Sequence, residues 1–208
     1  MTPDAIYLQR LSRFIDVVYA LLFFHLIINY LPTFEDMEWT HKPLGLLSHM
    51  VDNRSELLRI FIGGGLALLY WNQNNNLFKN LIKTNGVHAL LSLVQLFLVV
   101  LYVYFAIADP ALVSKSSPAL QAGCLALAGF TSIGAWMYAA KNNLIREEID
   151  QEQVKAFAKD NLMEPLTAVV NVGLAFVGPL AWTLAWFVLP PVFIWLLKPK
   201  NKKLKSNK

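Results

Sequence analysis

The 208-residue chain has one cysteine, Cys124, and only 15% of its residues are charged. A single thiol excludes a disulfide framework within the chain. The shortage of charge excludes more. A soluble domain usually has about 25% charged and about 45–50% apolar residues, whereas 56% are hydrophobic here. So little polar surface cannot cover that much apolar surface in water. Disorder is excluded too, because disordered segments are poor in the aromatic and branched residues that abound here. Soluble-enzyme signatures are missing: there is no Gly-x-Ser-x-Gly, P-loop, His-Glu-x-x-His or Cys-x-x-Cys. His25, His41, His49 and His88 stand at no metal-ligand spacing, so no metal or cofactor is expected. With a mean hydropathy of +0.44, what remains is an all-α integral membrane protein.

A helix needs about 20 apolar residues to cross a hydrocarbon core of about 30 Å, where lipid offers its backbone no hydrogen-bond partners. Six stretches approach this: 14–31, 57–71, 87–108, 119–140, 162–177 and 180–197. They predict one six-span domain over residues 1–208. Gly178-Pro179 separates the last two as a turn, and Pro190-Pro191 is expected to kink or break the final helix. Inside the second span, Gly63-Gly64-Gly65 and Ala67 predict close helix approach. The small residues around Cys124 predict a packing surface with a buried thiol. Trp71, Tyr102, Tyr104, Trp136, Tyr138 and Trp195, near span ends, predict an interfacial belt.

Basic residues set the orientation, since loops rich in Lys and Arg stay in the cytoplasm. Fourteen of the 18 fall on one side of the six spans, including Arg10, Arg13, Lys79, Lys83, the basic residues of 141–161 and those of the 198–208 tail. Both termini are therefore expected in the cytoplasm. The net charge of +4 is then an orientation signal and a means of holding anionic lipid. It requires no nucleic acid. Residues 141–161, mixing acids with bases, predict a cytoplasmic helical connector solvated on its surface. The 33–56 loop, with Glu35, Asp36, Glu38, Asp52 and Glu56, is acidic enough to concentrate cations, and is also what an ordinary solvated loop looks like.

The first span holds the residues that point to function. An ionisable or strongly polar side chain inside a span is costly unless paired or wetted, which singles out Asp16, His25 and Asn29. Asp16 lies about one helical turn beyond Arg13 and about two beyond Arg10. Two readings stand: an ion pair fixing the helix at the membrane boundary, or a network organising a pore.

Arg10-x-x-x-Phe14-x-Asp16 resembles the Arg-x-x-x-Phe-Ser-Asp signature of the transmembrane protein 175 family, the endosomal and lysosomal potassium channels and their prokaryotic relatives. Ile15 stands where serine is usual. The second span ends in Tyr70-Trp71-Asn72-Gln73-Asn74-Asn75-Asn76-Leu77-Phe78, similar to the family's Tyr-Trp-x-x-His-x-x-Leu-Phe, with Asn74 in place of histidine. The six-span layout extends the likeness over most of the chain.

The resemblance implies a homotetramer in the lipid bilayer, with four copies of the first helix lining an hourglass pore for potassium ions. It implies no re-entrant selectivity loop, and no Thr-Val-Gly-Tyr-Gly-like segment occurs. By the family pattern the pore constriction falls five, nine and twelve residues beyond the signature aspartate, at Leu21, His25 and Ile28. Arg10, Phe14 and Asp16 would brace the helix, with supporting contacts from Arg13, Trp71 and Asn74. Histidine departs from the aliphatic pattern. A ring of four histidines would repel cations when protonated. Either the pore responds to pH, or His25 faces a neighbouring helix and Phe24 or Leu21 forms the constriction. Two other functions stay open: a non-conducting membrane scaffold that kept the fold, and a secondary transporter, for which the internal repeats are missing.

Overall fold

Long apolar runs with helix-compatible breaks at Pro and Gly give seven helices among the described residues, which in this computed structural model are 3–30, 51, 54–109 and 112–197. They are α1 (Pro3–Tyr30), α2 (Arg54–Lys79), α3 (Gly86–Ala108), α4 (Ser116–Lys141), α5 (Gln151–Asp160), α6 (Met163–Leu174) and α7 (Pro179–Leu197). No strand occurs among the described residues; a lone bridge joins Leu81 to Ile145. Most of the acidic 33–56 loop, the 198–208 tail and the side chains of Asn29, Glu56 and Arg59 lie outside the described residues.

Four helices, α1, α3, α4 and α7, are long and apolar enough to cross a membrane. The third and fourth spans fall where the sequence places them. The others differ in length for identifiable reasons. At its N-terminal end α1 extends to Pro3, a residue tolerated in a first helical turn because its missing N–H would have no partner there. The other end of the pair, α2, continues beyond Trp71 to Lys79 through the run from Asn72 to Asn76. That run is polar, yet Asn74 within it and Leu77 and Phe78 just after it are buried, so tertiary packing overrides its loop-like composition. By contrast, α6 has 12 residues and is about 18 Å long, short of the about 30 Å of a hydrocarbon core. Three turn residues and Gly178 complete that segment. Finally, α7 runs unbroken through Pro190 and Pro191, so the expected break is not there.

The centre of the molecule is α4. Its neighbours are α3 on one side and α6 on another, with α1 and α2 packed together beyond α3, and α7 chiefly on α6. Small residues make this possible: Ala122, Ala126, Ala128, Ser132 and Ala135 of α4 are buried, as is the Cys124 thiol, and let neighbouring backbones come close. Gly129 is the tightest point. A Cβ there would lie 2.8 Å from the Pro165 ring. Of the three consecutive glycines in α2, only Gly63 meets another helix, where a Cβ would stand 3.4 Å from the Tyr102 hydroxyl; Gly64 and Gly65 face open space.

Two of the expected belt aromatics are core residues instead. Trp136 and Tyr102 are each 1% exposed, whereas Tyr104 and Trp195 are largely exposed. Trp136 is turned inward because its indole N–H donates to the Val154 carbonyl at 3.0 Å and its ring lies 4.4 Å from that of Phe157. Both partners sit on or beside the apolar side of α5, so the 141–161 connector is docked against α4 as well as solvated. Nor is it one helix: residues 142–150 form a loop, and Asp150 then starts α5 with a capping box to Gln153. The loop is tied to the α2–α3 turn by Ile82 N–H to Leu144 O at 2.9 Å and Arg146 N–H to Asn80 O at 3.0 Å. His88 is buried in that corner; its Nδ1 lies 2.9 Å from the Thr84 hydroxyl and its ring meets that of Phe78 edge to face.

Candidate functional site

The side chains of α1 divide into two faces. Leu11, Ile15, Tyr19, Leu22 and Leu26 are buried against α2 and α3, recurring at helical spacing. On the opposite side Arg10, Phe14, Val17, Leu21, Phe24 and Ile28 are exposed. Their spacing alternates four and three residues, the period of a helix that packs along a seam. Leu21 is 60% exposed and Phe24 62%, too apolar a surface to face water.

The three residues expected at a constriction, Leu21, His25 and Ile28, all lie on the exposed side. They are not equivalent. At about 100° per residue Leu21 falls about 20° from Ile28 around the helix, and from the line midway between them Phe24 lies about 50° to one side and His25 about 50° to the other. Ile28 and Leu21 therefore centre the seam, with Phe24 and His25 at its two margins. Val17 also belongs to the seam and was not singled out from sequence; the four-three alternation running from Arg10 to Ile28 is the signal that identifies it.

The residues of the signature come together only in part. Asp16 Oδ1 accepts a hydrogen bond from the Trp71 indole N–H at 2.9 Å, which joins α1 to α2 at the point where the two resembling segments meet. Arg10 and Arg13 are exposed. Arg13 lines an open cleft of about 450 Å³ between the ends of α1 and α2, together with Gln9, Ser12, Asn75 and Lys79. Phe14 is 55% exposed and points along the seam. Ile15 is 1% exposed, so the residue that replaces the family's serine is a core residue. Asn74, where histidine is usual, is also buried: its amide donates to the Tyr19 hydroxyl at 3.1 Å, and Gln95 of α3 sits against the same hydroxyl. Asn74 thus ties the inner face of α1 to α2.

Chemically, the arrangement provides a helix with an anchored inner face and an exposed, mostly apolar outer face. Among the described residues no three His, Cys, Asp or Glu side chains stand where they would hold a metal.

No protein-family model matches the chain, and no curated protein matches it in sequence. In structure the chain is similar to a lysosomal potassium-selective channel TMEM175 homolog from Chamaesiphon minutus. The TM-score is 0.70 at 18% identity, over 92% of this chain and 98% of that one. The chain therefore has the all-helical fold of that channel.

Proposed function

We propose that this chain is the subunit of a potassium-permeable channel of the transmembrane protein 175 family, in which α1 of each of four copies lines the pore. The observation that carries this reading is the exposed seam of α1, in a chain whose fold is that of a potassium-selective channel homolog. Around a four-fold axis such a seam closes on itself, as cyclic assemblies require. Ile28 and Leu21 then narrow the pore with apolar side chains, and conduction depends on wetting that ring. His25 stands at the rim of the constriction, between the pore and the adjoining copy. Asp16 and Trp71, with Asn74 and Tyr19, hold α1 to its own subunit so that the seam stays on the axis.

The six expected crossings also belong to this reading, with α2 and α6 completing the four long apolar helices once they pack inside an assembly. The distribution of Lys and Arg supports cytoplasmic termini, and a single family unit in so short a chain supports a prokaryotic inner membrane.

Purified protein should run in detergent at about four times its 23.5 kDa and carry potassium into liposomes down a gradient. Leu21→Ala and Ile28→Ala should change the flux or its preference for potassium over sodium. A monomeric mass, or liposomes that pass no cation while a known channel does, overturns the proposal in favour of a scaffold that kept the fold without conduction.

A further inference from the structure

Across the subunit from the α1 seam, Tyr70 and Glu164 meet in the packed interior. Tyr70 of α2 is fully buried and Glu164 of α6 is 8% exposed. The Tyr70 hydroxyl lies 2.6 Å from the Leu125 carbonyl of α4 and is hydrogen-bonded to Glu164 Oε2. A backbone carbonyl only accepts, and a phenol has a single hydrogen to give. If the phenol serves Leu125, the hydrogen between Tyr70 and Glu164 has to come from the carboxyl group.

The surroundings support the same count. No basic side chain among the described residues forms an ion pair with Glu164. Among the described residues the titratable group in contact with it is Tyr70 from α2, with Tyr19 of α1 next beyond that and backbone from α4. Its other oxygen, Oε1, is buried without a hydrogen-bond partner. An ionised carboxylate in this place would be an unpaired buried charge with one of its two oxygens bare, whereas a neutral acid leaves only a carbonyl oxygen unserved. Space for the group comes from Gly129, where a Cβ would stand 2.9 Å from Oε2.

We propose that Glu164 and Tyr70 form a proton-binding site, in which the neutral carboxylic acid donates to the Tyr70 oxygen while the Tyr70 hydroxyl donates to the Leu125 carbonyl. The bound proton completes a relay joining α6, α2 and α4. When it leaves, the single phenol hydrogen has to choose between Leu125 and Glu164, and one of the two ties is lost. Tyr70 lies one turn before Asn74, which holds Tyr19 of α1, so the site sits in the same packed layer that anchors α1.

Infrared spectroscopy of the full-length protein in lipid at neutral pH tests this. Wild type should show the carbonyl stretch of a protonated carboxylic acid, which Glu164→Gln should remove. Tyr70→Phe should keep the band and move it to higher frequency, because the acid loses its acceptor. Glu164→Gln, whose amide also donates, should retain the wild-type oligomeric mass. A wild-type spectrum with no carboxylic-acid band overturns the proposal whether or not either variant folds, as does a wild type minus Glu164→Gln difference containing only carboxylate bands. None of these outcomes depends on whether the protein conducts potassium, so the two proposals stand or fall separately.

Discussion

Ile15 and Leu21 are aliphatic side chains less than two turns apart on one helix, and their surroundings are opposite. Ile15 is 1% exposed and Leu21 60%. Removing buried branches leaves a cavity that the neighbours only partly fill, so Ile15→Ala should lower the unfolding free energy by about 2–5 kcal/mol. Leu21→Ala should stay within about 0.5 kcal/mol for the isolated subunit, while altering ion flux. Denaturant unfolding in detergent, set beside liposome flux, separates the two; equal destabilisation would mean the faces are wrongly assigned. Gly129 makes a second case at this scale. Its missing side chain admits the Pro165 ring, which is stiff and cannot swing aside, so Gly129→Ala should cost about 1–3 kcal/mol. A thermal melt that matches wild type would show that α4 and α6 have room to separate.

At the scale of elements, the helices that were legible in sequence are those whose apolar run matches the thickness of a bilayer, as α3 and α4 do. What was not legible depends on contacts between distant segments. The asparagine run that ends α2 has the composition of a loop, and it is helical because Asn74, Leu77 and Phe78 have partners elsewhere. Trp136 and Tyr102 look like interfacial anchors by position and are core residues by packing. At the candidate site, Asp16 was legible as a residue needing a partner; helix spacing offered Arg10 and Arg13, the family resemblance offered Trp71, and the hydrogen bond goes to Trp71. Glu164 was not singled out, although it lies inside the expected 162–177 span. It follows closely on a run of charged residues, and only the fold shows it turned inward toward Tyr70. The docked α5 gives a prediction of its own. Trp136→Phe keeps a ring against Phe157 but loses the bond to Val154, so amide hydrogen exchange across Gln151–Asp160 should quicken. Unchanged exchange would show that the apolar contact alone holds α5.

For the molecule as a whole, the least buried of the four long apolar helices are those at the edges. Only 28% of the most apolar window of α1 and 17% of that of α7 are buried within the subunit. Lipid can cover either helix, but the two differ in pattern: α1 has an ordered seam, whereas α7 is apolar all round. Disulfide trapping distinguishes a seam that meets its copies from one that meets lipid. In a Cys124→Ala background, a cysteine at Phe24 should cross-link subunits under oxidation, and one at Ile15 should not. Cross-linking at neither position would leave the seam to lipid.

The seam also has a handedness. A contact line that repeats every 3.5 residues drifts about 20° per seven residues on a straight helix of 3.6 residues per turn. Helices that keep this line on a common axis have to wind around one another to the left. Four copies of α1 holding Phe14, Val17, Leu21, Phe24 and Ile28 on such an axis would therefore form a twisted bundle rather than four parallel staves.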